Sequence, residues 1–482
     1  MLRIGAGSFV CTKKMYMQAR QVQKLSKVIW QNIRRQTVDC KEMLERCVVK
    51  IRQKTENSIE KCFSRFQQMQ YLDPKVKKIH REDHQRYLES MLRRLPLHYE
   101  CLDSSRPWNV YWILQAAHLL NFTFDDETLE HVVEFLIKCR HPNGGFAGGP
   151  GQYPHLAPTY AAVNSLCLIG TSNAYRAIDR ESLMQFLFSV REPDGSFRLH
   201  VDGETDVRGA YCAISCAKLT NMPEEVIKKL FDKTGDWIAR CQTYEGGFGG
   251  APDLEAHGGY TFCGIAALAL LDEGHKCDIE QLLKWNLQRQ MPFEGGFQGR
   301  TNKLVDGCYS FWVGATIPIT QAFISQKSGS MKKSLFDTSA LQEYILVCCQ
   351  KANGGLIDKP GKPQDLYHTC YTLSGVSIAQ HSESSLNPQV LGDPANELLP
   401  THPLFNVPPR AVARSLAHFE LLNDNFKDFR NPSSCQLDTG GNQYKNDCEK
   451  SSIESYMEVE GVVSATEEEE AQISSVSSSI SN

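Results

Sequence analysis

No run of about 18 consecutive apolar residues occurs in the sequence, so no membrane-spanning helix is expected. No CxxC pair occurs either, although the chain of 482 residues has 18 cysteines. They are scattered through apolar stretches such as "AYCAISCAKL" instead of standing at the spacings of a secreted disulfide framework. No secretory signal opens the sequence, and a reducing cytoplasm is the expected setting. A strong excess of either charge is also missing. The formal net charge is −4 and 41% of the residues are hydrophobic, as in a soluble enzyme, and no basic excess points to nucleic acid.

What is present is unevenly distributed. Residues 1–38 carry eight Lys or Arg and no acid, the composition of a transit peptide or a basic arm. From Asn431 onward there are ten Asp or Glu against two Lys, with the run Glu467 to Glu470 and a Ser-rich end. A basic, poorly ordered extension is therefore expected over 1–55, and an acidic disordered tail over 431–482.

Between these ends the chain repeats itself. "NGGF" ending at Phe146 recurs as "DGSF" at Phe197, "EGGF" at Phe248, "EGGF" at Phe297 and "NGGL" at Leu356. Before each phrase lies an amphipathic stretch, such as "ETLEHVVEFLIKCR", that reads as a surface helix. After each comes a stretch apolar nearly all round, such as "TYAAVNSLCLIG" or "CYSFWVGATIPI", that reads as a buried helix. Glycines just past a surface helix suit a left-handed C-terminal cap, so the Gly-Gly pair is given no chemistry. A cruder copy precedes the first phrase, which makes six outer and six inner helices. Stacked hairpins bury their inner faces in an open superhelix or by closing into a ring, and so few uniformly apolar inner helices favour closure. The expected fold is all-α, an α/α toroid of six hairpins over 56–430, with repeats near 123–170, 175–221, 224–272, 279–325 and 338–381. A last amphipathic stretch, "PRAVARSLAHFELL", is expected over the outside where the ring shuts.

Aligning the repeats on the tyrosine that opens each inner helix (Tyr111, Tyr160, Tyr211, Tyr260, Tyr309, Tyr371) makes the position three residues earlier informative. It reads Trp108, Ala157, Arg208, His257, Asp306 and His368. In a closed ring these places share one rim, so Asp306 and His368 become neighbours, with Cys308 projecting from the same helix start. Asp, Cys and His are competent zinc ligands, and three protein ligands leave the fourth position open, as catalytic sites do. Alone, the pair Asp306 and Cys308 is no evidence for metal, since most such pairs are caps and buried thiols; His368 in register turns it toward metal. The same rim gathers Arg208, His257, Arg300, Lys303 and several helix N-termini, a setting for an anion such as a diphosphate. Aromatic walls are expected from Trp108, Trp112, Tyr160, Tyr211, Tyr260, Trp312 and Tyr367. An apolar lumen, a basic rim and an open metal site suit a long apolar ligand with an anionic head.

The stretches "PGQYPHLAPTYAAVNSL", "EAHGGYTFCG", "EGGFQGRTNKLVDGCYSFW", "DKPGKPQDLYHTCY" and "SSRPWNVYW" resemble the protein prenyltransferase beta subunits, and among them the farnesyltransferase group, over about residues 60–425. The resemblance implies that Asp306, Cys308 and His368 ligate zinc. It implies a diphosphate site of His257, Gly258, Gly259, Arg300, Lys303 and Tyr309, and an isoprenoid path of Arg208, Tyr211, Tyr260, Cys263 and Trp312. Trp108, Trp112, Tyr160 and Tyr367 fall near lipid and peptide. Asp358 falls where the family places a magnesium-assisting carboxylate, with Lys362 nearby, on a loop otherwise expected to face solvent. The implied activity is transfer of farnesyl from farnesyl diphosphate to the cysteine of proteins ending in Cys-a-a-X, in a heterodimer with a helical-repeat alpha subunit.

Three rivals are weighed. A geranylgeranyltransferase beta subunit would carry small residues at the cavity floor, where this chain has Trp108 and Tyr211; forcing five more carbons against those rings costs ~1–3 kcal/mol or more. A terpene cyclase on a similar barrel would need a DxDD or DDxxD motif, and neither is present. A non-catalytic repeat scaffold would not need ligands in register on one rim.

Overall fold

The computed structural model describes residues 48–69, 77–328, 333–383 and 387–423. The expected acidic tail lies outside them, as does the expected basic extension up to residue 47. The chain divides into two compact units, Met1–Lys61 and Cys62–Asn482. The described part of the first, residues 48–61, is helical. Everything below concerns the second.

Six inner helical segments follow one another: Arg106–Leu119, Leu156–Ile169, Val207–Leu219, Gly258–Leu270, the broken pair Tyr309–Trp312 and Thr316–Ser328, and Leu366–His381. They are apolar around most of their circumference, and in the second every residue from Leu156 to Cys167 is buried. Each packs on the next, and the sixth packs on the first, so the inner ring closes. Outer helices precede them at Arg81–Arg93, Asp126–Cys139, Arg180–Ser189, Thr234–Arg240, Ile279–Leu287 and Thr338–Cys348. These are amphipathic: Asp126–Cys139 buries Val132, Val133, Leu136 and Cys139 and leaves its acids outside. Asp125, Asp179, Asp278 and Asp337 cap four of them by accepting backbone N–H bonds, each cap worth about 1 kcal/mol. The described residues form only isolated β-bridges and no strand. None of the described helices is long and apolar enough to cross a membrane.

Three expectations need correction. The Gly-Gly phrases are turns and not helix caps, because the outer helix has already ended: after Cys139 the backbone of Arg140 is extended, and Arg140 then pairs with Phe146 across the turn. The left-handed φ of +90° at Gly144 serves this reversal. The turn also seats on the next outer helix. A Cβ on Gly144 would stand 1.7 Å from the Ser182 carbonyl oxygen, and one on Gly354 2.2 Å from that of Asp83, in the first outer helix. The outer ring therefore closes as well.

The fifth inner helix, read from sequence as continuous, is interrupted. Gly314 N–H bonds back five residues to Tyr309, while Ala315 N–H bonds four back to Phe311 at 2.7 Å, the pattern of a one-residue bulge. Pro318 has no N–H to offer Gly314, which permits the break. The last helix, Pro409–Glu420, lies over the second and third inner helices instead of the closing seam. Arg414 is the reason: its guanidinium donates to the terminal carbonyls of Cys167, Leu168 and Ile169 at 3.1, 3.0 and 3.3 Å, where the helix leaves acceptors unpaired.

Candidate metal centre and active site

Both ligand-bearing turns are helix starts on one rim. Asp306 and Cys308 open the first turn of the broken fifth helix, where the Asp306 carboxylate accepts the Cys308 N–H at 2.8 Å. His368 lies in the first turn of the sixth. Closure of the ring brings one ligand atom from each of the three within 4.8 Å of the others, all buried. Tetrahedral zinc with bonds of about 2.0–2.3 Å spaces its ligands about 3.4–3.8 Å apart, close to this arrangement.

The polarity of His368 is set by a residue that the sequence reading missed. Asp365, the N-cap of the sixth helix, accepts the His368 backbone N–H at 2.7 Å and takes Nδ1–H at 2.6 Å. The ring is thereby fixed with its Nε2 lone pair toward Asp306 and Cys308. That Nε2 is buried without a hydrogen-bond partner; Asp306 Oδ1 is 3.4 Å away but not aligned. A buried, orphaned imidazole nitrogen facing a thiol and a carboxylate fits a metal ion of the zinc class. In the metal-free site burial raises the Cys308 thiol, with Asp306 adding to it. Burial would also raise Asp306, but His368, which Asp365 and Asp306 keep protonated where no metal takes its Nε2, holds it well below the usual carboxylate range.

His257, the N-cap of the fourth inner helix, accepts the Gly259 N–H on Nδ1 at 3.1 Å, and its Nε2 is 2.9 Å from the Tyr309 hydroxyl. Burial, with Arg300 and Arg208, pushes its pKa down to about 4. A neutral ring that accepts on Nδ1 carries its proton on Nε2 and donates it to Tyr309. The Tyr309 hydroxyl is then an acceptor from His257, and its own proton remains available for donation. Gly258 allows the fourth and fifth helices to meet here, since a Cβ on it would lie 2.8 Å from Val313. Arg208 is held by Asp206 at 2.6 Å and lies over the Tyr260 ring. Arg300 is placed at the edge, paired with Glu255 at 2.9 Å, and Lys303 is exposed.

Asp358 is not on a solvated loop: it is 2% exposed and paired with Lys359, a buried cation that sequence reasoning passed over. Burial and the nearby Asp306 push its pKa up to about 6, and its Oδ1 has no hydrogen-bond partner. Lys362 is half-buried further along the loop.

Beside the candidate metal site opens a cavity lined by Trp108, Trp112, Tyr160, Tyr211, Cys263 and Tyr367, together with His257, Tyr260, Tyr309 and Trp312. Trp312 Nε1–H donates to the Tyr367 hydroxyl at 2.9 Å, which ties the fifth helix to the sixth beside the ligands.

Residues 79–407 match the family model of the prenyltransferase alpha-alpha toroid domain. The protein farnesyltransferase beta subunit of Pisum sativum is 42% identical over 365 residues, 63% of this chain and 86% of the relative. That of Schizosaccharomyces pombe is 42% identical over 335 residues, 68% of this chain and 87% of the relative. The chain belongs to the protein farnesyltransferase beta-subunit family. A geranylgeranyl transferase type-1 beta subunit from Arabidopsis thaliana is less similar, at 32% over 343 residues, covering 64% of this chain and 86% of that subunit. The fold also matches Candida albicans protein geranylgeranyltransferase-I complexed with GGPP, with a TM-score of 0.59 at 22% identity over 70% of this chain and 98% of that one.

As a family member, this chain shows why some of its site was hidden in sequence. Asp365 reads as an ordinary helix cap, yet a carboxylate three residues before a histidine in a first turn also reaches Nδ1, and that spacing was the available signal. Lys359 had only its adjacency to Asp358.

Proposed function

We propose that this chain is the catalytic, metal-binding beta subunit of a protein farnesyltransferase, joining farnesyl from farnesyl diphosphate to the cysteine thiol of proteins ending in Cys-a-a-X. The observation that carries the reading is the orphaned His368 Nε2, turned by Asp365 toward Cys308 and Asp306 at the mouth of an aromatic cavity. Zinc held by Asp306, Cys308 and His368 would supply the positive charge that keeps a substrate thiol deprotonated and nucleophilic at neutral pH. The protein's own groups do the rest. The cavity rings of Trp108, Trp112, Tyr160, Tyr211 and Tyr367, with Cys263, bind the isoprenoid and exclude water. Tyr309, oriented by His257, donates its hydroxyl proton to the diphosphate. Arg208, Arg300, Lys303 and the glycine-started fourth helix at Gly258 and Gly259 add positive potential where charge grows on the departing group. Tyr260 and Trp312 border that path. Asp358 would offer its unpartnered carboxylate oxygen to magnesium, which would supply positive charge at the departing diphosphate. Lys359 stands beside Asp358, with Lys362 further along the loop.

Trp108 and Tyr211 at the end of the cavity support farnesyl over geranylgeranyl as the donor. The alpha subunit is the proposed partner, and the thiols of thirteen cysteines free among the described residues support a cytoplasmic setting. The barrel of 56–430 carries the chemistry in this reading, with 1–55 and 431–482 as appendages. Co-expression with a family alpha subunit provides the test: labelled farnesyl transfer to a Cys-a-a-X peptide and bound zinc are compared in wild type and His368→Ala. Loss of both in the variant is expected. Full transfer by the variant, or a wild type that holds no zinc, refutes the reading.

A further inference from the structure

Three tyrosines from consecutive inner helices end on three consecutive carbonyls of one loop. Tyr211 donates to Leu404 O at 2.8 Å, Tyr160 to Phe405 O at 3.1 Å, and Tyr111 to Asn406 O at 2.7 Å. Each tyrosine opens its inner helix at the equivalent place in its repeat, so the loop crosses the barrel one helix per residue. Tyr160 and Tyr211 line the cavity, and the loop does not. It stands behind them, buried at Phe405, Asn406 and Val407, which are 5%, 1% and 0% exposed, and half-buried from His402 to Leu404.

The loop is itself pinned. Asn406 sits at a left-handed φ of +51°, and its Oδ1 accepts from Thr401 Oγ1 at 3.0 Å and Gln115 Nε2 at 3.4 Å. Its N–H donates to His402 O at 2.8 Å, and His402 N–H to Val407 O at 2.8 Å. Gln115 comes from the first inner helix, so the loop is fastened to one of the three helices whose tyrosines it holds.

We propose that the loop Thr401–Val407 is a positioning element that sets the length of prenyl chain the cavity accepts. It hangs the Tyr160 and Tyr211 rings across the cavity end by their hydroxyls, beside Trp108, whose ring centroid is 5.5 Å from that of Tyr160. A ring carried only by its own side-chain torsions can swing aside for five more carbons; a ring hydrogen-bonded to a loop carbonyl must give up that bond to do so, and for Tyr160 the carbonyl left unpaired is buried. Donor selectivity then depends on two hydroxyls, and on Asn406, as well as on ring size. The inference rests on the reading of this cavity as a prenyl site.

The test uses the chain co-expressed with a family alpha subunit and compares dissociation constants of farnesyl and geranylgeranyl diphosphate. The variants are the double substitution Tyr160→Phe with Tyr211→Phe, which keeps both rings, and Asn406→Gly, which keeps the left-handed backbone and removes the anchoring side chain. The ratio of the two constants is expected to move toward geranylgeranyl by about tenfold or more in the double variant, the factor that two modest hydrogen bonds supply, and in the same direction in Asn406→Gly. A ratio unchanged in both overturns the proposal and leaves ring bulk as the determinant. An equal loss for both donors overturns it as well, being general destabilisation, and a shift in the tyrosine variant without one in Asn406→Gly removes the loop's part. Farnesyl transfer by wild type is assayed in parallel: its absence overturns the enzyme reading, whereas the donor ratio alone decides the role of the loop.

Discussion

Asp365 shapes the candidate metal site without belonging to its three proposed ligands, and Asp365→Asn separates its two roles. Asparagine caps a helix about as well as aspartate, so the bond from the His368 backbone N–H, 2.7 Å in the native chain, has a replacement acceptor and the sixth helix keeps its start. The variant loses the negative charge that receives Nδ1–H at 2.6 Å. Without it the imidazole is a weaker base at Nε2 and its orientation is no longer fixed. Losing such an outer partner of a ligating histidine costs about 10–100-fold in metal affinity, or ~1.4–2.7 kcal/mol. The assay is zinc competition against a chelator on the heterodimer, with the melting temperature of the metal-free sample measured alongside. Weaker zinc with a melting temperature within a few degrees of wild type is the expected result. Wild-type zinc affinity in Asp365→Asn would refute the argument that this carboxylate sets the ligating tautomer.

Gly375→Ala is expected to lower both stability and metal retention, because a Cβ there would lie 2.2 Å from Ser310 Cβ and 2.5 Å from the Ser310 carbonyl carbon, where the fifth and sixth helices cross. Overpacking of this kind costs ~1–3 kcal/mol, and zinc content of the folded fraction, measured beside its melting temperature, distinguishes displaced ligands from simple unfolding. Stability is also expected to fall with acid through buried histidines such as His84, whose pKa burial lowers to about 4 although Gln350 accepts from its Nε2 at 3.0 Å. The unfolded value is about 6.5, so the stabilisation is complete above that pH and is lost as pH falls toward 4, by about 2 kcal/mol at pH ~5 for this one group. Denaturant unfolding of wild type and His84→Met across this window checks it, and an equally steep decline in the variant rules His84 out as a cause.

The repeat register made much of the site legible before any coordinates. Aligning the inner helices on their first tyrosine placed Asp306 and His368 on one rim, because a closed ring converts equal positions in successive repeats into spatial neighbours. The same alignment was blind to what lies behind each repeat. The loop Leu404–Asn406 belongs to no repeat, and its bonds to Tyr111, Tyr160 and Tyr211 are made by backbone carbonyls, which every sequence carries. The bulge at Gly314 was foreshadowed by Gly314 and Pro318 together, but the apolar pattern runs unbroken through them and outweighed that signal. The seat of the last helix turned on Arg414 finding the ends of a particular helix, and amphipathicity names a face without naming its partner.

The closing of the barrel and the assembly of the candidate metal site are one event. Asp306 and Cys308 come from one turn and His368 from another 60 residues later, so the ligand set exists only when the fifth and sixth inner helices are in contact. The contact is specified at short range: Gly307 N–H donates to Asp358 O at 2.8 Å, a Cβ on Gly307 would reach the Thr372 hydroxyl at 2.8 Å, and Gly375 admits Ser310. Bare backbone at these positions lets the two helices approach as closely as the ligands require. A metal that binds the closed arrangement alone stabilises it by mass action. The bulge at Gly314 separates the short turn that follows Cys308 from the remainder of the fifth helix.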